Sequence, residues 1–268
     1  MPAIRRWVHR ITGLALAAVA AASAACATAR TAPVVRAMTY NIAAGGGDLD
    51  AVAAVIRAAA PDIVALQEVD VRWSERSDFA DQAAELAAAL GMDVRFGPIY
   101  ELPPDRRFGL AILSRTPIVE FTNHVIPRLS TQTDAVEPVP LPGFLEAVTV
   151  IDGVRVHVFN THLDYRADPR VRQQQVGAML ALLPGTEPAV LMGDLNAPPA
   201  APELQPLFAR LRDAWSADDG RGRTYPAHEP GKRIDYILLT GHFRAVDVRV
   251  PDVRASDHRP VIADLRFR

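Results

Sequence analysis

One cysteine, Cys26, is all that the 268-residue chain contains. No intrachain disulfide can form, so the fold must rest on a packed core, and no cysteine–histidine cluster exists to hold a structural zinc. Basic residues are not in surplus. The formal balance is −2; the first 25 residues hold three of the 29 basic residues and no acid, so without them 26 bases stand against 31 acids, a balance of −5. The basic footprint of a dedicated nucleic-acid binder is therefore missing, although a nuclease that brings its own metal ion stays compatible. Gly45-Gly46-Gly47 is not followed by Gly-Lys-Ser/Thr, which excludes a P-loop. The apolar run at residues 11–25 is too short and alanine-rich for a membrane-spanning helix.

That run has a different use. Arg5, Arg6 and Arg10 precede it and small residues follow it, the layout of a secretory signal. Cys26 directly follows Ser23-Ala24-Ala25, where a bacterial lipoprotein carries its lipid-modified cysteine, but Ser23 departs from the usual leucine-like residue three places upstream. Cleavage after Ala27 or Ala29 fits as well. The expected organisation is a signal peptide or lipoprotein signal over 1–26, a short tether over 27–33 and one domain over 34–268. The protein is expected to be exported: periplasmic, secreted, or attached to the membrane through lipidated Cys26. No protein partner is evident and a monomer is expected.

Within the domain, apolar runs of strand length alternate with helical patterns. Strands are expected over 34–42, 63–66, 94–99, 109–113, 118–126, 144–151, 154–159, 189–192, 234–239, 244–249 and 260–266, the second of them ending in Gln67-Glu68. Helices are expected from Asp48, a candidate N-cap, to about 59, over 79–90 with Leu86 and Leu90 buried, over 169–183, and briefly near 203–211. Asp152-Gly153 marks a hairpin turn. Pro127, Pro138, Pro140 and Pro142 make 127–143 a loop, placed where a substrate lid could lie. With no internal repeat and several hairpins, the pattern points to an α/β sandwich of mixed sheets rather than a purely parallel doubly wound fold.

Polar clusters recur beside the apolar runs: Tyr40-Asn41, Gln67-Glu68, Asn160-Thr161-His162, Gly193-Asp194-Leu195-Asn196 and Ser256-Asp257-His258. Taken singly, each has a plain structural reading. Glu68 could be a salt-bridged strand-end residue, Asp194 and Asn196 an Asx-turn before Pro198, and the histidines structural. Converging on one place, they would make an active site. Glu68, Asn41 and Asp257 offer an oxygen set suited to Mg²⁺ or Mn²⁺. Asp194 could take a proton from an attacking water while Asn196 donates to a phosphoryl oxygen. His162 and His258 could stabilise phosphate charge, with Asp235 the natural carboxylate for His258. His9, His124, His157, His228 and His242 have no comparable setting.

The ordered set Met38-Thr39-Tyr40-Asn41, Leu66-Gln67-Glu68-Val69, Gly109 to Arg115, Asn160-Thr161-His162-Leu163-Asp164, Gly193-Asp194-Leu195-Asn196, Arg233-Ile234-Asp235-Tyr236 and Ser256-Asp257-His258-Arg259-Pro260 resembles the endonuclease/exonuclease/phosphatase superfamily, which includes DNase I, exonuclease III, neutral sphingomyelinases and inositol-polyphosphate 5-phosphatases. The resemblance implies a four-layer α/β sandwich of two mixed, mainly antiparallel sheets flanked by helices, and metal-dependent phosphoester hydrolysis. It implies Glu68 as principal Mg²⁺ ligand with Asn41 and Asp257 beside it, Asp194 activating water, Asn196 on the phosphate and Asp235 orienting His258. His162 is the second phosphate-side histidine of the DNase I and sphingomyelinase branches. Leu110 stands where the family often has Asn, and the carboxylate partner of His162 is open, with Asp164 following it in the motif. The expected function is a phosphodiesterase using Mg²⁺-assisted attack of water, on a nucleic acid or a sphingolipid or phospholipid headgroup. Thr224-Tyr225-Pro226 resembles small bacterial members distantly similar to proteins of GPI-anchor remodelling, which leans towards lipid. A catalytically silent envelope-binding protein is the non-enzyme alternative.

Overall fold

The computed structural model describes residues 34–216 and 220–268; the expected signal, tether and Cys26 lie outside them. Two six-stranded sheets face each other. The first contains β1 (Val34–Asn41), β2 (Ile63–Val71), β3 (Asp93–Leu102), β4 (Arg106–Ser114), β11 (Phe243–Arg249) and β12 (Val261–Phe267), in the order β11-β12-β1-β2-β4-β3. The second contains β5 (Ile118–Arg128), β6 (Val139–Ile151), β7 (Val154–His162), β8 (Ala189–Asp194), β9 (Arg212–Asp213) and β10 (Asp235–Leu239), in the order β5-β6-β7-β8-β10-β9. Only β1–β2 and β7–β8 pair in parallel; the other pairs are antiparallel.

Alternation along the strands builds three apolar layers. Ala37, Ala65, Leu110 and Ile112 of the first sheet meet Leu145, Val158, Val190 and Met192 of the second between the sheets. On the outer face of the first sheet, Met38, Tyr40 and Leu66 pack under α1 (Leu49–Ala59) and α2 (Gln82–Leu90). Phe159 and Leu191 pack under α3 (Arg170–Leu182) and α4 (Gln205–Arg210) on the other outer face. The result is the expected four-layer sandwich. Asp48 caps α1 by accepting from the Ala51 N–H. The next helix starts later than 79 because Asp81, accepting from the Ala84 N–H, is its cap, while Phe79 is left-handed and half exposed.

Two boundaries differ from the sequence pattern for reasons of pairing. Residues 127–143 are not one loop: Pro127 is opposite Pro140 and Val125 opposite Pro142 in the β5–β6 ladder. β7 pairs with β6 only over residues 144–151, so at 139–142 one side of β6 is a free edge, where proline's missing N–H costs no ladder bond. The loop shrinks to 129–138. Glu68, likewise, does not end its strand. β2 continues to Val71, and Glu68 occupies a bulge against β4 between Leu66 and Val69, with φ of 56°. The two-residue β9 had no visible signal.

Candidate active site

The pairing directions bring the polar clusters to one edge of the sandwich. β1 and β2 are parallel and deliver Asn41 and Glu68; β7 and β8 are parallel and deliver His162 and Asp194. β10 and β12 run antiparallel to β8 and β1, so their starts, with Asp235 and the preceding His258, arrive at the same edge. Gly193 is needed here. A Cβ at this position would lie 2.1 Å from the Thr161 carbonyl oxygen, and the backbone φ is +151°. Without a side chain, β8 packs against β7 and places Asp194 beside His162.

Asp194 is the centre of the arrangement. Its Oδ1 accepts from the Asn196 backbone N–H at 2.8 Å, an Asx-turn with Asn196 left-handed at φ of 51°. Its Oδ2 accepts from Asn41 Nδ2 at 3.2 Å and lies 3.5 Å from His162 Nε2 and 3.7 Å from His258 Nε2. The turn and the site thus use different oxygens of one carboxylate. Burial, reinforced by the charge of Asp235 and opposed by the two imidazoles, pushes the Asp194 carboxyl up to about 6. Behind His258, Asp235 Oδ2 meets Nδ1 at 2.9 Å. Burial alone would lower the imidazole, but Asp235, aided by Asp194 and Asp257, outweighs it and raises His258 to about 10. His258 is therefore an imidazolium at neutral pH.

Asn41 Nδ2 also donates to Glu68 Oε1 at 3.0 Å, and its Oδ1 accepts from the Ala43 N–H; one oxygen lone pair stays free. Glu68 and Asp257 line the same cleft of about 310 Å³ with His162, Asp194, Asn196 and His258, and Asp257 is exposed. Among the described residues, Asp194, Asp235 and His258 place ligand atoms within 4.8 Å of one another, but Asp235 and His258 are already bonded to each other. The cleft-facing donors not spent on such a pair are the carboxylates of Glu68 and Asp257, hard oxygens that fit a divalent cation. Asn196 spends one amide hydrogen on the Leu163 carbonyl at 3.0 Å and keeps a second.

Other expected members act elsewhere. Asp164 is tied to Arg166 by an ion pair and to its backbone N–H, so the carboxylate nearest His162 is Asp194. Leu110 is fully buried between the sheets and offers the site no polar group. Gln67 and Asn160 form a buried stitch between the sheets: Gln67 Nε2 donates to Asn160 Oδ1 at 2.7 Å, and Asn160 Nδ2 donates to the carbonyls of Leu66 and Ala111. His124 and His157 share Glu146 at 2.7 and 2.6 Å without lining the cleft.

Three lining residues carried no assigned role in the sequence pattern. Tyr165 lines the cleft and is largely exposed. The Tyr225 ring lies 4.7 Å from that of His258, and Lys232 Nζ lies over Tyr225 at 5.7 Å. Lys232 is the only lysine in the sequence, a signal that was there to be seen.

The fold is shared with known proteins. An endonuclease/exonuclease/phosphatase from Beutenbergia cavernae is similar at 28% identity and a TM-score of 0.73, over 87% of this chain and 72% of that one. The human Nocturnin catalytic domain, solved with bound sulfate, is similar at 22% and 0.66 over 88% and 94% of the two chains. A Bacteroides thetaiotaomicron mannosyl-6-phosphatase is similar at 20% and 0.67 over 87% and 100%. The last two likenesses are of fold alone. No curated protein matches the sequence. Residues 38–258, which span every strand-edge residue described above, match the Endonuclease/Exonuclease/phosphatase family, and the chain belongs to that family of phosphoester hydrolases.

Proposed function

We propose that the protein is a Mg²⁺-dependent phosphodiesterase that directs water in line onto a phosphate ester. The observation that carries this reading is Asp194 Oδ2 held among Asn41, His162 and His258, with His258 backed by Asp235. A base with its pKa near 6 is ionised at neutral pH and still basic enough to take a proton from water. As water attacks phosphorus, Asp194 Oδ2 receives its proton, the P–O bond to the leaving alcohol breaks on the opposite side with that oxygen protonated from solvent, and His258, already protonated, stabilises charge on a non-bridging oxygen. His162 and the second amide hydrogen of Asn196 hold the same phosphoryl group. Glu68, with Asn41 and Asp257, would hold Mg²⁺, or Mn²⁺ in its place, which neutralises charge on the phosphate when bound.

A chromogenic bis-phosphodiester tests the proposal. Hydrolysis with Mg²⁺, abolished by EDTA and lost in Asp194→Ala, is expected. Equal inactivity of wild type and variant with every divalent metal refutes it and leaves a silent binding protein. A panel of plasmid DNA, RNA, sphingomyelin, phosphatidylinositols and a phosphomonoester then separates the nuclease, lipid-headgroup and phosphatase alternatives; cleavage of monoesters alone overturns the diesterase preference. Export belongs to the same proposal, supported by the basic–apolar–small order of the first 25 residues. Mass spectrometry of the mature N-terminus tests it, a lipidated Cys26 start and an Ala27 or Ala29 cleavage giving different masses.

A further inference from the structure

A second pocket, of about 190 Å³, opens off the cleft and shares Glu68, His162 and Tyr165 with it. Arg128, at the end of β5, lines this pocket and is 7% exposed. Its guanidinium is short of partners. Nη2 donates to the Gly143 carbonyl at 2.7 Å, but Nε has no hydrogen-bond partner, and among the described residues no carboxylate pairs with it. Asp164 is near enough to be felt electrostatically, but its carboxylate is taken by Arg166. Burial pulls Arg128 down only to about 10, so it is a cation at neutral pH.

Another buried arginine in the same protein shows what a satisfied one looks like. Arg172 pairs with Glu203 and also donates to the carbonyls of Asp164 and Arg166. Arg128 has neither kind of support in comparable number, and its place is kept open at a cost. A Cβ on Gly143 would lie 2.8 Å from both Arg128 Nε and Nη2, with the backbone at φ of +126°. Glycine is the residue that admits the guanidinium there. Tyr100 and Phe108, stacked at 6.2 Å, also line the pocket, as do Leu129 and Thr131 of the 129–138 loop.

A buried cation without a carboxylate partner, beside the cleft and walled by aromatic rings, is a place where an oxyanion would be stabilised. We propose that this pocket binds an oxyanion against Arg128, as a second negatively charged group of the substrate beside the ester that is cleaved. The substrate assignment rests on the phosphodiesterase reading; the oxyanion site does not.

Two arms test it. In the first, wild-type crystals are soaked with selenate and its anomalous signal is mapped. A peak within hydrogen-bond distance of the Arg128 guanidinium, lost in Arg128→Met, is expected; no peak there in wild type overturns the site, whatever the fate of the Met variant's fold. In the second, kcat/KM is compared for p-nitrophenyl phenyl phosphate and its counterpart carrying a phosphate monoester on the phenyl ring. Wild type is expected to favour the doubly charged ester at least tenfold, mainly through KM, with the preference reduced to within twofold in Arg128→Met and partly kept in Arg128→Lys. Selenate binding without that preference overturns the substrate assignment and makes a free oxyanion the occupant. If neither ester is turned over, the diesterase reading fails and the selenate arm alone decides the site.

Discussion

Asp235→Asn separates a working imidazolium from a merely well-packed histidine. In the wild type, burial works against the charged ring, and Asp235 Oδ2 at 2.9 Å from Nδ1 supplies the largest opposing contribution, holding His258 at about 10. The amide variant keeps shape and a hydrogen-bond acceptor but removes the charge. With burial pulling down and Asp194 and Asp257 still pulling up, the ring returns to the neighbourhood of its ordinary pKa, about 6.5. In the proposed mechanism the activity needs the protonated ring, so it is present below the His258 pKa and lost as pH rises through it. At pH 8 the protonated fraction falls from nearly all to about 3%, an activity loss of about 30-fold, whereas at pH 6 the loss is under about twofold. The assay is the pH dependence of kcat/KM on a chromogenic diester from pH 5 to 10.5. Wild type should show an acidic limb near 6, where Asp194 deprotonates, and an alkaline limb near 10; in the variant the alkaline limb moves to about 6.5. An alkaline limb that stays near 10, or an equal loss at pH 6 and pH 8, refutes the reasoning.

Two further substitutions probe how the fold holds this edge. Gly193→Ala drives a Cβ to 2.1 Å from the Thr161 carbonyl oxygen; separating β7 from β8 there should destabilise by about 3 kcal/mol or more, read as a lowered Tm with activity lost at assay temperature. Asn160→Leu strips partners from the Leu66 and Ala111 carbonyls and from Gln67 inside the sandwich, which should cost about 2–4 kcal/mol in denaturant unfolding; a cost below about 0.5 kcal/mol would show that the stitch is dispensable.

Much of the site was legible in the sequence because parallel strands end where their polar clusters stand. An apolar run closing on Tyr40-Asn41 or Gly193-Asp194 names both strand and site residue. The opposite direction was harder. Asp235 opens its strand and His258 precedes its own, and only antiparallel pairing with β8 and β1 carries them to the same edge. The Glu68 bulge depends on its mismatch with β4, a tertiary property. The same holds for Pro140 and Pro142, which read as loop until the free edge of β6 is known. Arg128 left no trace at all: one arginine among many becomes distinctive only through burial and through the Gly143 backbone that faces it.

The charge of the cleft argues for the cation independently of family membership. Glu68, Asp194 and Asp257 line the cleft and Asp235 stands behind His258, against two cations, the His258 imidazolium and Lys232. At pH 7.5 Asp194 is ionised as well, so the edge is negative, and a phosphate entering it is repelled. A like-charge pair about 5 Å apart costs about 3 kcal/mol at an effective dielectric of about 20, and several such pairs face the incoming group. A divalent cation on Glu68 and Asp257 would offset two of those negative charges. Inorganic phosphate, used as a probe for the phosphoryl group, should therefore bind at least about 100-fold more weakly with EDTA than with Mg²⁺ in a calorimetric titration, a difference of about 2.7 kcal/mol. Linkage requires phosphate to tighten Mg²⁺ by the same factor. Equal phosphate affinity with and without the metal would mean that His258, His162, Asn196 and Lys232 overcome four carboxylates unaided, and the oxygen set of Glu68, Asn41 and Asp257 would then need another purpose.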